Sequence, residues 1–95
     1  MKNSNIGTFE ITLIAVASRK SKRRVILKHR RLIGDAIRFR RKKAGYTQEK
    51  LAEMVDLNPK YIGEIERGEK IISIEALLRI SKAVKSPIRD FFRDI

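Results

Sequence analysis

Only Asp56 and Leu57 separate the apolar Val55 from Asn58-Pro59, and this short gap constrains the chain more than any other feature. Upstream, Leu51, Ala52 and Val55 share the spacing of one helical face, with Thr47 placed as a side-chain cap. Downstream, Asn58 as N-cap and Pro59 at the first helical position form a strong start signal. Two helices joined this tightly must cross steeply. The crossing needs a small residue where the helices meet, and Ala52 supplies it. The turn needs a residue that tolerates positive φ; Asp56 is acceptable, although glycine would suit it better. Lys50 stands where a capping-box glutamate would be, so that box is absent.

The flanking sequence brings the count to five helices. The first, about Leu32–Ala44, sets Ile33, Ala36, Ile37 and the stem of Arg40 on one face and stops before Gly45, a C′ residue. The third runs from Asn58-Pro59 to Gly68 with Ile62 and Ile65 inward. The fourth is capped by Ser73, carries Glu75 in its first turn, and is expected to bury Ile74, Leu77, Leu78, Ile80, Ala83 and Val84. The fifth, from Ser86-Pro87, is expected to bury Ile88, Phe91 and Phe92. The expected fold class is therefore all-α: a five-helix body over 32–95, behind a basic arm (19–31) and a head (1–18). In the head, Phe9, Ile11 and Leu13 alternate with Thr8, Glu10 and Thr12, the period of a short β-strand. A lone strand has to pair with a second copy, join the body or stay disordered.

The charge is concentrated. The chain has 23 Lys+Arg against 11 Asp+Glu in 95 residues, a net charge of +12. Residues 19–43 hold thirteen of the basic residues and one acid, Asp35, while the ten basic and ten acidic residues elsewhere cancel. A solubility device would be spread out; a block of this kind marks an anion-binding face.

Several functions lose support at this stage. There is no cysteine, so disulfides and thiolate metal sites are excluded. The single histidine, His29, has no metal-ligating neighbour and reads as a solvated residue of the basic arm. No acid/base constellation meets the needs of a catalytic site, so no enzyme, cofactor or metal is expected. No apolar run is long enough to span a bilayer. "ITLIAVAS" at 11–18 is too short and too poorly flanked for a secretory signal, so a cytoplasmic location is expected.

The stretch "YTQEKLAEMVDLNPKYIGEIERGEKIISIEALLRISKAV" resembles the phage repressor and Cro type of helix-turn-helix domain, the XRE family, over roughly Leu32 to Phe92. Thr47-Gln48, Leu51-Ala52, "IGEIERG" and "SIEALLRISKAV" fall in register together. "KYIGEIERGEKIISIE" is also similar to controller proteins of restriction–modification systems. Asp56 in place of glycine, Pro59 in place of a polar base-contacting residue, and the long head depart from the pattern.

The resemblance implies a regulator that binds double-stranded DNA, with the third helix in the major groove. Pro59, Lys60 and Glu64 match base-reading positions. Lys60 would donate to guanine and Glu64 accept from cytosine, unless Glu64 serves only as an i,i+4 partner of Lys60. Gly63 is expected on the same face, allowing close approach. Gln48 matches a phosphate-binding position, or is plain surface polarity. Tyr61, Arg67, Lys70, Arg38, Lys42 and Lys43 complete the DNA-contact candidates. An inward ion pair between Arg41 and Glu66 is implied as a structural clamp on the third helix. Homodimerisation is expected through Ile88, Phe91, Phe92 and Ile95, with the head strand as a second route. The alternatives are an antitoxin-like interaction protein whose head captures a protein partner, and a membrane-surface role for 19–43 supported by charge alone.

Overall fold

The computed structural model describes residues 19–94. In chain order it contains α1 (Arg19–Lys43), α2 (Gln48–Val55), α3 (Pro59–Glu66), α4 (Ile74–Ala83) and a 3₁₀ turn at Ile88–Phe91. The expected head strand, the head's suggested protein-binding role and Ile95 lie outside the described residues.

Two elements differ from expectation. The first helix begins at Arg19 rather than Leu32, so the basic segment 19–31 is not a separate arm but the first half of α1. Lysine, arginine and leucine are good helix formers, and no glycine or proline interrupts the run before Gly34. The expected fifth helix is a single 3₁₀ turn without a side-chain cap. Phe91 plugs that turn into the core at 1% exposure, and Asp90 ties it to Arg40 at 3.7 Å. Phe91 is therefore committed to its own core and cannot form a dimer surface.

Caps and turns follow the local chemistry. Thr47, Asn58 and Ser73 accept hydrogen bonds from the backbone N–H groups of Lys50, Lys60 and Ala76 at 3.0, 2.8 and 3.1 Å. Asp56 adopts the left-handed conformation at φ +56°, as the turn requires. There the Leu57 N–H reaches back to the Ala52 carbonyl at 2.9 Å, closing α2 with a Schellman arrangement. The Arg79 guanidinium donates to the freed Val55 carbonyl at 3.2 Å. Lys85 ends α4 in the same left-handed conformation at φ +55°, an unusual place for a side chain of that length.

The core gathers Ile33 and Ile37 of α1, Leu51, Ala52 and Val55 of α2, and Ile62 and Ile65 of α3. Ile72, Ala76, Leu77, Ile80, Val84 and Phe91 close it from the C-terminal side. Three residues expected inside are exposed instead: Ile74 at 76%, Leu78 at 46% and Phe92 at 40%. α4 is apolar over more of its circumference than the body covers, and Ile74 and Leu78, four residues apart, occupy the uncovered side.

The contact that positions the site is between α1 and the end of α3. A Cβ added at Gly34 would lie 2.2 Å from the Ile65 carbonyl oxygen and 2.9 Å from that of Glu66. The backbone of α1 therefore rests directly on the last turn of α3. Just beyond, Gly68 packs on the Arg31 backbone.

Candidate nucleic-acid interface

The outer surface of α3 is built from its first turn. Asn58 and Pro59 start the helix, and Pro59 and Lys60 are exposed. Along one flank a shallow cleft is lined by Asn58, Lys60, Tyr61, Glu64 and Lys70. Along the other, Arg38 of α1, Gln48 of α2 and Arg67 line a second cleft with Arg41 and Glu66 at its floor. The structure thus brings Arg38, Gln48, Lys60, Glu64, Arg67 and Lys70 around one short helix. Lys42 and Lys43 are exposed at the end of α1.

Beneath this surface lies a buried network. The Arg41 Nε and Nη2 donate to Glu66 Oε2 and Oε1 at 2.6 and 2.9 Å, and Nη1 donates to the Tyr46 carbonyl at 2.8 Å. The Gln48 amide donates to Glu66 Oε1 at 3.0 Å. Arg41 is 6% and Glu66 5% exposed. The hydrogen bond to Glu66 raises the Arg41 pKa above the ordinary arginine value; burial opposes this, and the Glu66 and Glu49 charges add to it. A charged pair this deep needs its remaining hydrogen-bonding capacity filled, and Tyr46 and Gln48 fill it. Helices α1, α2 and α3 are thereby locked together behind this surface.

Four expectations change in detail. Gly63 is buried rather than open on the outer face: an added Cβ would sit 3.0 Å from Arg67 Nη1 and 3.5 Å from Gln48 Oε1. Its lack of a side chain makes room for those two groups. Glu64 pairs with Lys70 at 3.4 Å, not with Lys60. Gln48 directs its NH₂ inward to Glu66 at 3.0 Å, so its side-chain donor is committed within the fold, while its carbonyl oxygen lies beside Gly63. The Tyr61 hydroxyl accepts from the Ser73 N–H at 3.2 Å, which ties α3 to the start of α4.

Arg67 is exposed, but its guanidinium forks onto Glu69 at 2.7 and 3.2 Å. The same bond holds the Glu69 carboxyl below its ordinary pKa. Neither Glu69 nor Gly34 was singled out from the sequence. A glycine interrupting an otherwise strong helical run was the available signal for Gly34; Glu69 had none, because its partner is set by the turn at Gly68. Among the described residues no cluster of acidic and histidine side chains could hold a metal, and no helix is long and apolar enough to cross a membrane.

Comparison with known proteins agrees with this geometry. The chain is 43% identical over 56 residues to the control protein C.BamHI of Bacillus amyloliquefaciens, covering 58% of this chain and 69% of that protein. Its structure is similar to the restriction-modification controller protein C.AhdI of Aeromonas hydrophila, with a TM-score of 0.64 and 30% identity over 66% of this chain and 96% of that one. It is also similar to the clp gene regulator ClgR of Corynebacterium glutamicum, with a TM-score of 0.65 and 34% identity over 67% and 68% of the two chains. The chain spans only 18% of a further relative, a transcriptional regulatory protein of Pyrococcus furiosus. Residues 37–91, more than half of the chain, match the helix-turn-helix family model HTH_3, and with α2 and α3 packed together across the turn at Asp56-Leu57, the chain belongs to this XRE-type helix-turn-helix family.

Proposed function

We propose that the chain is a sequence-specific regulator that binds double-stranded DNA as a homodimer, with α3 in the major groove. One observation carries the reading: the base of α3 is fixed by the buried Arg41–Glu66–Gln48 network while Pro59 and Lys60 stand free on its outer face. A rigid support under an exposed first turn is what direct reading of base edges needs. Lys60 donates to guanine O6 or N7, and Glu64 accepts from cytosine N4 when Lys70, 56% exposed, swings away to a phosphate. Arg38, Lys42 and Lys43 supply further phosphate contacts, and the N-terminus of α2 at Gln48 favours another.

For the dimer, Ile71, Ile74 and Leu78 form an exposed apolar group around the start of α4. This group takes the place of the buried Phe91 as the surface on which two copies meet. The named relatives are control proteins and gene regulators, which agrees with a regulatory rather than an enzymatic role.

Selection of binding sites from random duplexes, followed by footprinting and mass measurement of the complex, tests the reading. A discrete inverted-repeat footprint holding two protein copies is the expected result. Uniform binding to every duplex would sink it. A one-copy complex would remove the dimer alone.

A further inference from the structure

The first half of α1 is a continuous helix that projects beyond the contact between Arg31 and Gly68. From Arg19 to Arg31 it carries eight Lys+Arg and no acid. Within it, Lys22 through Lys28 are all exposed. Arg24, Arg31 and Arg38 recur every seven residues, close to two full turns, so they stand in one line along α1. Successive members are about 10 Å apart, and the line is about 21 Å long.

One end of this line lies on the recognition surface. Arg38 shares its cleft with Gln48 and Arg67. The middle, Arg31, is set against the turn that follows α3, since Gly68 touches its backbone. The other end, Arg24, stands on a shallow groove with Leu27, Lys28, Arg31, Leu32 and Asp35. Asp35 is the one acid of α1, and among the described residues Arg24, Lys28, Arg31 and Arg38 make no ion pair. Arg67 and Arg79, by contrast, are each held by a neighbouring glutamate. These four cations are thus uncommitted and aligned with the surface proposed above to meet DNA.

We propose that the projecting half of α1 is a second DNA-contacting element, a helical strut whose Arg24–Lys28–Arg31 line grips backbone phosphates beyond the base pairs read by α3. The proposal rests on α3 being the recognition helix, and it extends the footprint past that helix's C-terminal end. The strut carries no base-reading geometry, so its contribution is independent of sequence. Helix formation makes it more than a tethered basic tail: the charges are presented at fixed spacing, with little ordering left to lose on binding.

The test uses the full chain with Arg24→Gln/Arg31→Gln, and separately Arg24→Gln/Lys28→Gln, in which both sites are exposed. Glutamine keeps the helix propensity, so the fold is retained. Affinity for the selected site and for a random duplex is measured against salt, alongside the footprint. Lys82→Gln/Lys85→Gln, at the C-terminal end of α4 and the turn that follows it, controls for net charge. The expected result is a fall of about 1.8 in the slope of log affinity against log salt, on both duplexes, for each strut variant. The footprint loses protection at its α1 end, and the α4 control leaves the slope unchanged.

An unchanged slope with an intact wild-type footprint overturns the strut and leaves the recognition helix standing. An equal fall in the α4 control overturns it in favour of a general field. A change in the mass of the assembly without a change in slope shows that the groove seats a second copy instead. If wild type gives no discrete footprint and Lys60→Ala leaves sequence preference untouched, the recognition reading itself fails and the strut goes with it.

Discussion

Arg41 and Glu66, twenty-five residues apart, face each other as a buried two-pronged ion pair, at 2.6 and 2.9 Å. The pair joins α1 to the last turn of α3, and Gln48 adds a hydrogen bond from α2. Removing one partner leaves a buried charge without compensation. Arg41→Met or Glu66→Leu alone should therefore cost about 3–5 kcal/mol in urea unfolding, and the double variant far less than the sum. No coupling in that cycle would disprove the clamp. Because the folded pKa of Arg41 is raised, its contribution is fully present below the unfolded arginine value and is lost only as pH rises through the folded one. The Arg41 term should thus be flat across the neutral range.

Lys60 is free on the outer face of α3, whereas Lys42 belongs to the block of charge at the end of α1. Lys60→Ala should cost about 1–3 kcal/mol on the selected site only, and relax its preference. Lys42→Ala should weaken selected and random duplexes alike. Competition binding with both duplexes separates the two, and an equal loss from Lys60→Ala on random DNA would mean that the docking face is misassigned.

Glu69 occupies the guanidinium of Arg67, a residue on the candidate interface. Glu69→Gln should release Arg67 and remove a negative charge from the surface, tightening binding to all duplexes. The effect should be greatest at low salt, where exposed charges are least screened. If Arg67→Gln and Glu69→Gln both leave affinity unchanged, Arg67 makes no contact.

Gly34 has no room for a side chain, because the Ile65 and Glu66 carbonyl oxygens lie where a Cβ would go. Both are backbone atoms and cannot turn aside. Gly34→Ala should cost about 3 kcal/mol, the upper part of the overpacking range, despite being a helix-favouring change. Thermal unfolding measures this directly; a neutral or stabilising result would show that α1 and α3 do not touch there.

Lys85 ends α4 at φ +55°. Lys85→Gly should stabilise the fold by about 1 kcal/mol by removing the left-handed strain of a side-chain-bearing residue, and should leave DNA affinity nearly unchanged. A destabilised variant would show that the lysine stem contributes packing that outweighs the strain.

By itself the sequence determined what depends on neighbours along the chain. The caps at Thr47, Asn58 and Ser73, the left-handed turn at Asp56 and the inward faces of α2 and α3 follow from local hydrogen bonding and a 3.6-residue period. The family resemblance supplied the Arg41–Glu66 pairing, which spacing alone does not specify. The charge block is legible in the sequence, whereas its helical form is not marked by charge: a charge run indicates the sign of a partner, and helix propensity decides how the run is held.

Tertiary structure decided what depends on the distance between elements. It turned the expected fifth helix into one 3₁₀ turn, because burying Phe91 fixed that segment against the core. It left Ile74 and Leu78 outside, because a body this small covers only part of an apolar helix. It also moved Gly63 from the outer face to a niche between Gln48 and Arg67, and gave Gly34 its meaning. A glycine marks a close approach, but the approaching backbone comes from residues thirty-one and thirty-two positions away, and only the packed fold brings it there.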